Sequence, residues 1–288
     1  MTGFALALVL LSACIHATWN LLAKRAGSGG SVAFVWLVTG LAAVIYAPIA
    51  GIFLVLKQPQ LGAAELLFMA GNALLHSGYF LVLQRGYKTG DLSLVYPLAR
   101  GTGPVLSTVA AIALLGERPT PLALAGAVLI GIGVFVIAGG PGRLRRHESQ
   151  AAVLYALLTG AFIAAYTIWD KYAVSRLLIH PLIFDWASNI GRVLLVTPLA
   201  FGRWDQVKQV WHSYRVAVIG VSVLSPLSYI LMLTALSFSP VSYVAPTREI
   251  SILIGTAMGS KLLLEGHARR RLIAAGVMCA GLVFLALG

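Results

Sequence analysis

Arg100 and Arg248 each stand shortly after a proline, Pro97 or Pro246, inside a long apolar run. An ionisable group in such a run is costly, which marks it as a functional candidate. A guanidinium stays charged and presents a planar fork of donors that fits a carboxylate or a phosphate. Proline removes a backbone N–H, frees carbonyls and can bend a helix. Two such forks around one dry cavity would hold an anionic group. The alternative is structural, with each arginine tying its own helix to a neighbour through Glu249 or Asp170.

Other residues join this list by type and spacing. His16, Trp19 and Asn20 share one helical face, at i, i+3 and i+4, and Tyr166, Trp169 and Asp170 share an equivalent one. Trp and Tyr can enclose a substrate while Asn and Asp fix it, although aromatics at this spacing also serve as packing. His76 and Tyr79 lie on one face of a third apolar run, with Phe80, and are candidate cavity walls; Tyr96, beside Pro97, is a further candidate contact. Asp170, His16 and Glu249 are the candidates for proton coupling, because a buried carboxylate needs a partner or a proton and histidine titrates near neutrality. Lys171 points about 100° away from Asp170 around the helix and is no automatic partner. Asp185 and Arg192 are two turns apart on one face, and Glu117 and Glu265 read as structural anchors at helix ends.

The elements that must position these residues are membrane helices. The 288 residues are 59% hydrophobic and 10% charged, with a mean hydropathy of +0.90, too apolar for a soluble domain of this length. Ten spans are expected, at about 3–22, 32–56, 66–84, 92–115, 121–138, 151–173, 182–201, 216–236, 243–263 and 272–287. Short loops join them, and the alternation of a barrel is absent. Met1-Thr2-Gly3 lacks a basic n-region, so the first run is expected to be a retained helix and not a cleaved signal. Thirteen Lys and Arg residues fall in loops after odd-numbered spans and three after even-numbered ones. That bias places the odd loops in the cytoplasm and both termini outside.

The formal charge of +12 does not indicate nucleic acid, because the basic residues are scattered between apolar runs. Cys14 and Cys279 stand alone, so neither a disulfide nor a metal site is expected. No motif for hydrolysis, metal-dependent proteolysis or nucleotide binding is present. The expectation is therefore a non-enzymatic protein without cofactors, whose partners are a small-molecule substrate and the lipid bilayer.

Residues 1–140 and 151–288 look like copies, joined by a basic linker at 141–150. Trp19-Asn20 aligns with Trp169-Asp170, and Tyr79 with Tyr229. Val95-Tyr96-Pro97-Leu98-Ala99-Arg100 resembles Val244-Ala245-Pro246-Thr247-Arg248. An acid, Glu117 or Glu265, follows each arginine by seventeen residues. Gly126 and Gly131 align with Gly276 and Gly281, small residues that favour close helix packing, as a scaffold or a homodimer surface. Five helices per copy is an odd number, so the copies cross with opposite orientation. Inverted repeats characterise transporters with a site near the midplane.

These motifs, with Gly116-Glu117-Arg118 and Pro246-Thr247-Arg248-Glu249, resemble the drug/metabolite transporter superfamily, specifically ten-helix bacterial proteins with two EamA domains. The resemblance implies an all-α inner-membrane permease of two inverted five-helix repeats, exporting or exchanging amino acids or other metabolites. A subgroup associated with phosphonate utilisation is similar at the first two motifs. In the sugar-phosphate branch, basic residues on the fourth and ninth helices bind the anion. The spans hold more basic than acidic residues, which favours an anionic or zwitterionic substrate such as an amino acid, organic acid or phosphonate. Flipping of a charged lipid head group and export of multiple drug cations are the alternatives.

Overall fold

A computed structural model describes residues 1–25, 32–89, 92–138, 150–263 and 268–288. Among them it contains helices and no strands. The helices are α1 (Gly3–Arg25), α2 (Val32–Lys57), α3 (Ala63–Thr89), α4 (Leu92–Leu115), α5 (Pro121–Ala138), α6 (Gln150–Ser175), α7 (Pro181–Phe201), α8 (Trp204–Phe238), α9 (Val241–Arg248), α10 (Ile250–Leu263) and α11 (Ala268–Leu287). Six are long and apolar enough to cross a membrane by themselves. The helix α7 falls outside that group because Asp185, Asn189 and Arg192 interrupt its apolar sequence.

The polarity of the fold is inverted relative to a water-soluble protein. Val55, Leu56, Leu114 and Val216 are each more than 70% exposed, whereas Ser12, Asn72, Asp170, Ser222 and Thr247 are wholly buried. Such a surface suits hydrocarbon, where helices satisfy their own backbone hydrogen bonds. The chain is an all-α integral membrane protein.

Several boundaries differ from the sequence expectation; α1 runs on to Arg25 and α11 starts at Ala268, so Lys24, Arg25, Arg269, Arg270 and Arg271 lie in helix ends. Helix α3 extends to Thr89, so Arg85 and Lys88 belong to its last turns and not to a loop. Helix α8 starts at Trp204 and bends at Tyr214, so a short amphipathic segment with Asp205 and Lys208 precedes the apolar rod. The ninth span is broken into α9 and α10 at Glu249. Pro246 has no N–H to donate to the Ser242 carbonyl; beyond it the Thr247 hydroxyl donates to the Tyr243 carbonyl, and Glu249 N–H closes a tighter turn on Pro246 O. The basic linker, Glu265 and Asp91 lie outside the described residues.

Packing follows a two-fold exchange of the halves. Helix α1 packs on α8 as α6 packs on α3, α2 meets α8 as α7 meets α3, and α4 meets α6 as α9 and α10 meet α1. The pairs α2–α7 and α5–α11 map onto themselves. Residue contacts obey the same exchange, at an offset of 150. Ser12 on α1 and Ser228 on α8 bond reciprocally to each other's carbonyls, and their counterparts Phe162 and Gly78 also touch, the phenyl ring filling the space above the glycine. The α5–α11 contact is backbone to backbone, since a Cβ on Gly126 would stand 2.6 Å from Gly281 O.

Candidate functional site

Two buried polar groups lie between the halves, and one residue belongs to both. The first is a hub around Asp170, which is fully buried on α6. Asn72 on α3 donates its amide to Asp170 Oδ1 at 2.5 Å and lies 3.2 Å from the Tyr229 hydroxyl. Tyr229 on α8 donates its hydroxyl to Asp170 Oδ2, and Ser188 on α7 donates to Asn72 Oδ1. His76, one turn beyond Asn72, places Nε2 2.9 Å from the Tyr229 oxygen. Its ring stacks on Tyr166, with centroids 4.3 Å apart. Tyr79 meets the edge of the same Tyr166 ring. A short chain on α7 adjoins the hub: Asn189 donates to Asp185 Oδ2 at 2.9 Å, and Arg192 donates to Asn189 at 2.7 Å. The two-turn spacing of Asp185 and Arg192 is thus bridged by the residue between them.

The second group centres on Arg100. Its guanidinium lies 3.1 Å from the Glu249 carboxylate, and both side chains are almost fully buried. Arg100, Arg248 and Glu249 line one cavity with Pro104, Ser107 and Thr167. The cavity volume is about 10 Å³. Breaking the ninth span at Glu249 brings both charged side chains of that segment, Arg248 and Glu249, to the cavity wall. Arg248 joins the two groups. Its guanidinium carbon lies 5.9 Å from the centre of the Tyr229 ring, a cation–π distance, while its Nε finds no hydrogen-bond partner among the described residues. The charges of Arg100 and Arg248 both reach His16, which is buried on α1.

The remaining charged residues of this region hold the turn between α8 and α9. Lys171 donates to the carbonyls of Leu236 and Ser239, at 2.7 and 3.0 Å, at the C-terminal end of α8. Glu117 accepts from the backbone N–H groups of Val241 and Ser242 at the start of α9. Each charge complements the helix end it touches. Glu117 is therefore an anchor, as its place in the sequence suggests.

Residues 3–139 match the EamA-like transporter family. The chain carries an EamA domain of the drug/metabolite transporter superfamily. It is a membrane transporter of small molecules. One solved crystal structure superposes on 100% of this transporter and 98% of its own chain, with a TM-score of 0.78 at 14% identity, a likeness of fold. In all, 29 solved chains match, and no curated protein sequence does.

The structure gathers most of the residues singled out in the transporter's sequence. Arg100, Arg248 and Glu249 share the cavity, and Asp170, His76 and Tyr229 share the hub. His16 stands close enough to feel both arginines. Trp169 packs face to face with Phe68 and donates to its carbonyl at 2.8 Å. Trp19 meets His16 edge-on, and its indole N–H has no partner among the described residues. Asn20 donates to the His16 carbonyl of its own helix. Tyr96 precedes Arg100 by one turn, but its side chain lies outside the described residues. Asn72, Ser188 and Asn189 are site residues that sequence reasoning missed. Neutral and small, they carry no charge cost to betray them; the one signal was their polarity within apolar helices.

Proposed function

We propose that this protein is a secondary transporter of a small anionic or zwitterionic metabolite, held between Arg100 and Arg248. The observation that carries the reading is the convergence of two arginines, 148 residues apart, on the wall of one buried cavity where α4 meets α9. A carboxylate, phosphonate or phosphate is the group such forks recognise. Glu249 sharpens the reading. It faces the same cavity beside Arg100, so a substrate with an ammonium group next to its carboxylate has a partner for each end. Asp170, Glu249 and His16 are the proton-coupling candidates of this transport cycle.

A thermal-shift screen of the purified protein against amino acids, organic acids, phosphonates and cationic drugs tests the substrate class, because a specific ligand stabilises by mass action. Anionic or zwitterionic hits are expected. Arg248→Gln should weaken such a hit by ~1.5–3 kcal/mol, the worth of a charged hydrogen bond, while the ligand-free variant unfolds normally. Stabilisation by cations alone would defeat the assignment. The location that accompanies this function is the bacterial inner membrane with odd loops cytoplasmic. A cysteine placed at Ser149 should then resist an impermeant reagent in intact cells, and ready labelling would reverse the orientation.

A further inference from the structure

Tyr229 meets both polar groups, its hydroxyl in the hub and its ring beneath Arg248, and the chemistry of its hydroxyl gives that contact a direction. A phenol carries one hydrogen and two accepting positions. The hydrogen goes to Asp170 Oδ2, so Asn72 and His76 must both donate to the oxygen. This count assigns His76 the tautomer with hydrogen on Nε2. Asp170, Tyr229 and His76 therefore form a continuous chain in which every hydrogen points toward the carboxylate. The chain can be reversed. A proton taken up at Nδ1 of His76 releases the Nε2 hydrogen to the Tyr229 oxygen, and the Tyr229 hydrogen passes to Asp170. One proton enters and one carboxylate is neutralised. His76 ends neutral, with hydrogen on Nδ1, and Tyr229 keeps its hydroxyl throughout.

The face of the same ring lies beneath Arg248. The charges of Arg192 and Arg248 both reach His76 and Asp170. Resting on the function proposed above, we infer that Asp170, Tyr229 and His76 form a proton wire, and that its proton and the substrate's anionic group bind cooperatively through Arg248. With Asp170 ionised, Arg248 is partly neutralised across the Tyr229 ring. With Asp170 protonated, the cavity gains a full positive charge and holds an anion more tightly. Proton and anion then travel together, and an inward proton gradient drives the anion inward.

The groups around the wire are compatible with this role. From α3 come Asn72 and His76, from α7 Asp185 and Arg192 bridged by Asn189, from α8 Tyr229, and from α6 Tyr166. Lys171 adjoins Asp170 in sequence but is turned to the α8 carbonyls. Arg100 is paired with Glu249 at 3.1 Å and Arg192 donates to Asn189 on α7, whereas Arg248 lines the cavity and so carries a change at Asp170 to the substrate site.

The test uses methanesulfonate, an anion whose charge does not vary with pH, on the purified full-length protein. Wild type should bind it about tenfold more tightly in acidic than in alkaline buffer, and should take up protons on binding, read with an indicator dye in weakly buffered solution. Asp170→Asn, permanently neutral at that position, should bind tightly at both pH values with no uptake. Tyr229→Phe keeps the ring under Arg248 but cuts the wire, so it should retain binding and lose most of the uptake. The carboxylic-acid C=O stretch in infrared difference spectra should titrate in wild type and vanish in Asp170→Asn. The inference is overturned if Asp170→Asn binds more weakly, if Tyr229→Phe takes up protons like wild type, or if wild-type binding ignores pH. If no variant and no wild-type sample binds the anion, the cavity assignment itself fails and the coupling falls with it.

Discussion

Asp170 and Asn20 occupy the same place in the two halves, one residue after a tryptophan, yet they meet different neighbours. Asp170 faces Asn72, Tyr229, Ser188 and His76, drawn directly or through one bond from three other helices. The positions related to these by the offset of 150 are Ser222, Tyr79, Val38 and Pro226. Valine and proline offer no side-chain hydrogen bond, and Ser222 donates to backbone carbonyls of Val38 and Val218. Asn20 is left to bond its own helix. The tryptophans differ for a related reason. Trp169 lies over Gly71, whose missing side chain lets the indole approach and reach Phe68 O. The counterpart of Gly71 is Val221, part of the apolar cluster against which Trp19 packs, and the Trp19 N–H goes unbonded among the described residues. The repeat thus supplies a symmetric scaffold, while a few substitutions concentrate the titratable chemistry on one side of it.

Exchanging residues between the copies tests this contrast. The largest effect is expected from truncating the paired positions. Asp170→Ala leaves the buried donors of Asn72 and Tyr229 unsatisfied and should cost ~2–5 kcal/mol in denaturant unfolding. Asn20→Ala loses one bond to its own helix and should cost less than ~1 kcal/mol. Equal losses would mean that the two sites are not distinct. Next comes Gly71→Ala, whose Cβ would lie 2.4 Å from the Trp169 ring. Displacing that ring should cost ~1–3 kcal/mol and shift tryptophan fluorescence; an unchanged spectrum would show that the close seat does not matter. The smallest effect separates the tryptophans themselves. Trp169→Phe should lose about 1 kcal/mol more than Trp19→Phe, the difference of one indole hydrogen bond, and a reversed order would contradict the seating described for Trp169.

The sequence displays the helices because lipid leaves the backbone few other options, and it displays the repeat because matched residues keep one order. Arg100 and Arg248 announce themselves by charge in apolar surroundings, and their convergence follows from the repeat. Glu249 was legible as one of two partners for Arg100; the structure selects it. What stayed hidden depended on neighbours distant in sequence. Nothing local distinguishes Asn72 from any polar residue on an apolar helix, and its importance appears only where α3, α6, α7 and α8 meet. The break at Glu249 was similarly obscured. Pro246 signals a weak point, but the span continues for another 14 apolar-rich residues in α10, so hydropathy reads it as one rod.

The glycine-to-glycine crossing of α5 and α11 has a practical use in spectroscopy. Two helices in backbone contact at Gly126 and Gly281 have little freedom to slide, and their pairing maps onto itself when the halves are exchanged. Val128 and Val283 point outward from this pair, both about half exposed. Labels at these two positions provide an internal ruler, a distance held constant while other label pairs report the transport cycle.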